Sequence, residues 1–337
     1  MNICMVMASR GNGGLEKHVR ELAGELAHQG HAITVAAPAA FLTSLPAGIQ
    51  RLPIPAHLGR YHPWLLLKLL LVLRRGGYDL VHAQASKAAS LVNRLRPWLA
   101  MPTLVTLHNI KRDVRLYAQF DHVIAVSHQL AASLPPAKTS VVYNGIAMPQ
   151  AQVLDLRNLF SLPVDYPVIC AVGRLVHAKG FDLLLEAVDG LPLALLIVGD
   201  GPEQARLARR VQGLNPVTRC LLTGHRDDAP SLMRSADAVL ISSRREGFSY
   251  VCNEALLLET CVLSTDVPVA NEVLAPDFIV PTSDVASLRT RLCHWLARRA
   301  EWAVLQQPAR ELAARQFTLP VMAANTLAVY RRLVDHA

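Results

Sequence analysis

Short apolar runs and amphipathic stretches alternate along the chain from its first residues. Residues 2–8, 31–37, 79–83, 103–107, 122–126 and 140–143 are apolar runs of strand length. Between the first two, residues 15–29 carry apolar positions at helical spacing, and Gly30 supplies a helix stop. A leucine-rich stretch over 62–75 predicts another helix before the 79–83 run. This βα rhythm predicts a parallel sheet with helices on both faces. The rhythm lapses over 146–165, which holds Pro149 and Pro163, and the link between two domains is expected there. It then resumes, with strands expected at 168–172, 194–198, 219–222 and 238–241 and helices at 181–188, 203–211 and 229–234. The expected fold class is α/β: two doubly wound halves facing a cleft, divided at 150/151.

Composition agrees with two domains, because 337 residues with 52% apolar and 18% charged content can bury two sheets. The most apolar stretch, 64–73, is about half of the roughly 20 residues that a bilayer span needs, and Lys68 interrupts it. The first seven residues read as a strand and not as a signal peptide. Six scattered cysteines show no metal-ligand spacing, so a reducing cytoplasm is the expected compartment. Charge is uneven. Residues 1–150 hold 15 Lys+Arg and 6 Asp+Glu, a net of +9, and residues 151–337 hold 19 and 20, a net of −1. The basic half calls for an anionic partner: membrane phospholipid, phosphorylated glycan or nucleic acid.

The polar positions at strand ends carry the chemistry. Ser9–Glu16 follows the first strand and opens the first helix, with Gly11, Gly13 and Gly14 allowing backbone to approach a phosphate. It is neither a dinucleotide fingerprint nor a P-loop: no acid ends the second strand, and no Gly-Lys-Ser/Thr follows. That disfavours a nicotinamide-dependent dehydrogenase. Gly173-Arg174 through Lys179-Gly180 follows the first strand of the second half, where a guanidinium and an ammonium suit a diphosphate. Gly199-Asp200-Gly201-Pro202-Glu203 reads as a structural turn into a helix. His108 ends the 103–107 strand. Glu246 and Glu254 stand eight residues apart around a glycine loop that leads into a helix. Such a junction favours anions, and the carboxylates accept from sugar and ribose hydroxyls. No Asp-x-Asp lies at a strand end and Asp227-Asp228 are adjacent, so no metal-bound diphosphate is expected.

In this order the motifs resemble those of retaining glycosyltransferase family 4, which has the GT-B architecture of two Rossmann-like domains. The resemblance runs nearly end to end. It includes Gly13-Gly14-x-Glu16, Thr106-x-His108, Val126-Ser127, Tyr143-Asn144-Gly145-Ile146, Gly173-Arg174…Lys179-Gly180, Val198 to Pro202, and the E-x7-E pair of Glu246 and Glu254. The chain departs from the family at Glu259, where a glycine is usual, at Pro268-Val269, where a Gly-Gly loop is usual, and before Ile279. His82-Ala83-Gln84 lacks a second histidine.

The resemblance implies an N-terminal acceptor-binding domain over 1–150, joined by a final helix at about 320–337, and a donor-binding domain over 151–319. It implies a metal-independent, cofactor-free, retaining transfer from a nucleotide-diphosphate sugar, UDP-linked, to a cell-envelope glycan or glycolipid such as lipopolysaccharide core. Arg174 and Lys179 would hold the diphosphate, with Gly13, Gly14 and Gly173. Gly224 and His225 would flank the base, and Glu254 would bind the ribose. Glu246 with Gly247, Phe248 and Ser249 would hold the sugar, and His108 would stand at the reacting face. Glu16 and His82 would meet the acceptor. The implied partners are a nucleotide sugar, a glycan or glycolipid, and an anionic inner membrane touched from its cytoplasmic face, with no nucleic acid. Two other readings stay open: a soluble transferase for a small metabolite or glucan, and a nucleotide-sugar-binding protein without turnover.

Overall fold

The computed structural model describes every residue except Arg10, Asn12, Arg112 and Ala337, so two positions of the first glycine loop lie outside the described residues. The chain forms two compact units. One comprises residues 1–147 and 316–337, the other residues 148–315.

The first unit is built on seven parallel strands: β1 (Asn2–Met7), β2 (Ala32–Ala37), β3 (Gln50–Pro53), β4 (Leu80–Gln84), β5 (Thr103–Leu107), β6 (His122–Ala125) and β7 (Thr139–Val141). Their order is β3-β2-β1-β4-β5-β6-β7. Strand direction of travel reverses between β1 and β4, which pair with Met5 opposite His82 and Met7 opposite Gln84. In such sheets ligands bind at the carboxyl ends beside this switch. Ile3 to Met7 are wholly buried because both faces of β1 are covered, which is why its sequence is a continuous apolar run.

The Gly14–His28 helix buries Val19, Leu22, Ala23 and Leu26, spaced one and two turns apart. Gly30 ends it with φ +85°, and His31 N–H donates to Leu26 O. The Leu319–Asp335 helix joins the same core through Met322, Ala323, Leu327 and Tyr330. It is tied to the end of the first segment: Ile146 N–H donates to Phe317 O, and Leu319 N–H donates to Ile146 O. Gly145 permits this approach, since a Cβ there would lie 2.1 Å from Thr318 O.

The second unit repeats the plan with six parallel strands: β8 (Val168–Val172), β9 (Ala194–Val198), β10 (Arg219–Gly224), β11 (Ala238–Ile241), β12 (Cys261–Thr265) and β13 (Ile279–Val280). Their order is β10-β9-β8-β11-β12-β13, with the switch between β8 and β11. The rhythm-poor segment 146–165 contains a short helix, Leu156–Phe160, capped by Asp155 accepting from Asn158 N–H. At five residues it is too short to show a periodicity. The same holds for β3 and β13, at four and two residues. The Ala85–Leu95 helix has a full amphipathic face and was not expected, because it starts directly after β4 with no punctuating loop.

Candidate active site

Each unit gathers polar side chains at the carboxyl ends of its central strands, by different means. In the second unit the loop after β8 carries Gly173, Arg174 and Lys179, and the loop after β11 carries Ser242 to Ser249. Lys179 Nζ donates to Glu246 Oε1 at 2.8 Å, and Ser243 Oγ donates to the same oxygen. The Glu246 side chain is 5% exposed, so this carboxylate is buried, paired and hydrogen-bonded. Gly180 allows the close approach of the two loops. It has φ +66°, and a Cβ there would lie 2.1 Å from Ser242 O. Arg244 fastens the arrangement by donating to His177 O and to both carboxylate oxygens of Asp182. Burial would raise the Asp182 pKa, but Arg244 and Arg206 outweigh it and hold the carboxyl down to about 2.

Gly247, Phe248 and Ser249 are buried and lead into the Tyr250–Leu257 helix. Its first amides have no partner within the helix, and Ser249 Oγ is buried beside them without a hydrogen bond. Glu254 lies half-buried in the second turn, and Arg174 is exposed beside Gly173. Gly224 ends β10 with φ +73°, and the exposed His225 stands 3.5 Å from Asp227 Oδ1. With β10 two strands from β8, the Gly224–His225 corner is about 10 Å from the β8 loop. The cations, the carboxylate and the helix start thus share the β8/β11 switch, and Gly224–His225 flanks it.

In the first unit the strand ends carry neutral groups. His108 follows β5 and its Nε2–H donates to Gln84 Oε1 at 2.8 Å, at the end of β4. His82 Nε2 is hydrogen-bonded to Thr106 Oγ1 and Nδ1 to the Tyr330 hydroxyl, both at 2.6 Å. His18, from the first helix, meets His108 edge to face with ring centres 4.7 Å apart. Burial pushes the His18 imidazole down to about 4, against the weaker opposing pull of the Asn144 side chain. Burial, aided by the neighbouring imidazoles, pushes His82 down to about 3 and His108 well below the ordinary range. All three are neutral at pH 7.

Two residues expected at the acceptor lie within this unit's own contacts. His82 is 0% exposed, with both ring nitrogens hydrogen-bonded inside the network. Glu16 is turned back on its own helix, where Oε2 accepts from Gly13 N–H at 2.9 Å and caps the free N-terminus. Gly13 and Gly14 lie at that same turn. Sequence reasoning gave no role to Ser243, Gln84, Thr106, His18 or Tyr330. Only the alternation along β4 and β5, which sends His82, Gln84 and Thr106 inward, could have signalled part of that set. Among the described residues no three His, Cys, Asp or Glu side chains group to hold a metal ion.

Comparison with known proteins fits this geometry. The family described as Glycosyl transferases group 1 matches residues 155–311, and Glycosyltransferase Family 4 matches residues 12–148. The Anabaena HepE protein, solved in complex with UDP, has the same fold. Its TM-score is 0.83 at 22% identity, over 99% of this chain and 100% of that one. The chain therefore has the GT-B fold. Its two halves are similar to these two glycosyltransferase families. Among curated relatives, the O-antigen biosynthesis glycosyltransferase WclY of Escherichia coli is 26% identical over 59% of this chain and 57% of its own length. The lipopolysaccharide core biosynthesis glycosyltransferase LpsE of Rhizobium meliloti is 36% identical over 32% of each chain. The match thus spans a little over half of the length of WclY and about a third of that of LpsE.

Proposed function

We propose that this chain moves a sugar from a nucleoside-diphosphate sugar, UDP-linked, to a hydroxyl of a cell-envelope glycan or glycolipid of the lipopolysaccharide-core kind. The observation that carries the reading is the β8/β11 switch, where Arg174, Lys179 and the start of the Tyr250–Leu257 helix offer positive charge beside the buried Glu246 carboxylate. A diphosphate suits the cations and helix amides, and sugar and ribose hydroxyls suit Glu246 and Glu254. Relatives named for O-antigen and lipopolysaccharide-core synthesis support the acceptor class, and the UDP bound by HepE supports the nucleotide.

The reaction breaks the bond from the anomeric carbon to the diphosphate oxygen and forms one to the acceptor oxygen. The acceptor proton leaves with the diphosphate on the same face, so configuration is retained. Arg174, Lys179 and the helix amides stabilise the departing charge, and the chemistry needs no metal. His108 serves the reacting sugar as a neutral imidazole, since an imidazolium would oppose the positive charge developing on the anomeric carbon.

Lys179→Ala and Arg174→Ala are each expected to lower turnover by about 100-fold, the loss of a charge-assisted contact to a leaving group. Turnover is measured with labelled UDP-sugars with and without EDTA. Both variants near wild type would reject the diphosphate assignment. Loss on chelation, restored by magnesium or manganese, would reject the metal-free route.

A further inference from the structure

One residue at the end of β4 departs from the family pattern and links the histidines of the first unit. Where a second histidine is usual, this chain carries Gln84. The period of two along a strand places Gln84 and His82 on one face of β4. Gln84 pairs with Thr106 of β5, two residues before His108. All four side chains belong to buried residues, none more than 8% exposed. Gln84 Oε1 accepts from His108 Nε2–H at 2.8 Å. The other end of the carboxamide, Nε2, stands 3.2 and 3.3 Å from the two ring nitrogens of His82. His82 is in turn held by the Thr106 and Tyr330 hydroxyls. A carboxamide between two imidazoles thus sets its acceptor end on His108 and its donor end on His82.

The partner of one ring nitrogen decides what the other can do. A neutral imidazole carries one N–H and one lone pair. With its proton on Nε2 for Gln84, His108 has the lone pair on Nδ1. Among the described residues no group hydrogen-bonds Nδ1, and it is not one of the buried atoms left without a partner, so it keeps access to solvent. The side chains that could hold Nε2–H from position 84 differ in what else they do. A carboxylate would fix the same tautomer and also favour the imidazolium, which has no lone pair. A histidine offers a donor or an acceptor and would leave the choice open. A carboxamide presents an acceptor and carries no charge at any pH.

We infer that Gln84 is the positioning residue of His108: it fixes the Nε2–H tautomer, so that Nδ1 meets the reacting sugar as a hydrogen-bond acceptor. The role of Nδ1 rests on the sugar transfer proposed above, and the tautomer does not. Sugar hydroxyls can donate to Nδ1. An acceptor there also sets a lone pair, and not an N–H, beside the sugar as positive charge develops. The titratable groups that face His108 are His18 on the first helix and His82 on β4.

The test is nitrogen NMR of the full chain carrying isotope-labelled histidine, with His108 assigned by comparison with His108→Asn, alongside steady-state kinetics across pH. In the wild type at neutral pH, Nε2 of His108 is expected to be protonated and Nδ1 unprotonated. Gln84→Met keeps the length of the side chain and removes both hydrogen bonds. It is expected to mix the two tautomers and to lower kcat by about tenfold with little change in the donor KM. Gln84→Glu keeps the acceptor and adds charge. It is expected to keep the Nε2–H form and to give kcat an acid limb at higher pH than any in the wild type, as the carboxylate draws His108 into its charged form. A merely structural role would move stability, read by circular dichroism on each variant, and neither the tautomer nor the pH profile. An Nδ1–H signal in the wild type would overturn the inference, because the carboxamide would then be turned round. So would a Gln84→Met protein with the wild-type tautomer and kcat. Should Gln84→Met fail to fold, the wild-type spectrum and Gln84→Glu still decide. The expected tautomer in a chain that transfers no sugar from a panel of nucleotide sugars would reject the transfer, and with it the part of Nδ1, and leave the tautomer assignment standing.

Discussion

The two units share strand order and switch point, yet the groups at their switches behave oppositely. At β8/β11 the side chains form salt bridges: Lys179 with Glu246, and Arg244 with Asp182. At β1/β4 and the neighbouring β5 they are neutral: three imidazoles, two hydroxyls and a carboxamide. One topology thus presents charged groups at one switch and neutral groups at the other. The difference arises from burial against pairing. Burial opposes charge at both switches; at Asp182 the Arg244 guanidinium outweighs it, whereas at the histidines burial prevails and leaves the imidazoles neutral.

The largest expected effect tests the neutral network. The folded pKa values of His18 and His82 lie at about 4 and about 3, below the ordinary 6.5, so the unfolded chain binds these protons first. The stability contribution is complete above pH 6.5 and is lost as pH falls toward 4 and then 3. Each histidine is expected to contribute a slope of about 1.4 kcal/mol per pH unit in that window. Urea unfolding of the first unit, followed at several pH values, measures this. His18→Asn and His82→Gln should flatten the curve, and an unchanged slope in both would show that the imidazoles are not held neutral.

The next effect concerns the ionised network. Glu246→Ala removes the acceptor shared by Lys179 and Ser243 and is expected to lower kcat by about 100-fold with little change in KM. Glu254→Ala is expected to raise the donor KM by about tenfold and spare kcat, as loss of a contact equal in ground and transition states would. Steady-state kinetics separate the two, and the reverse pattern would exchange their roles.

Legibility followed the scale of the signal. The doubly wound rhythm was visible because buried parallel strands are continuous apolar runs, as in Ile3–Met7 and Ala194–Val198. The glycine–cation loop and the Glu246 region were visible as local spellings at strand ends. The Lys179–Glu246 bond was not, since it joins residues 67 apart in sequence. Nor was the role of Tyr330, which is 248 residues from the His82 that it completes. The departures at Glu259 and Val269 proved to be physical. Both residues have positive φ, +62° and +75°, where glycine would be unstrained. Val269 is buried, so its side chain offsets part of that cost. Glu259 is exposed and has no such compensation.

The smallest effect follows from this. Glu259→Gly is expected to stabilise the second unit by about 1 kcal/mol, a rise of about 2–4 °C in its melting temperature. Calorimetry of the two transitions would place the gain. A loss of stability would mean that the Glu259 side chain makes a contact worth more than its strain.

The stitch between Ile146 and the Phe317–Leu319 segment also sets an order of events during synthesis. All 168 residues from 148 to 315 lie between the two segments that build the first unit. At about 5–20 residues per second, the ribosome needs roughly 10–30 seconds to deliver them. Throughout that interval the nascent first unit has β1, β2 and the first helix but lacks Met322, Leu327 and Tyr330, and the Nδ1 edge of His82 stays open. The unit that begins first is therefore the last to close. Its unfinished apolar face is where a chaperone would act on this chain.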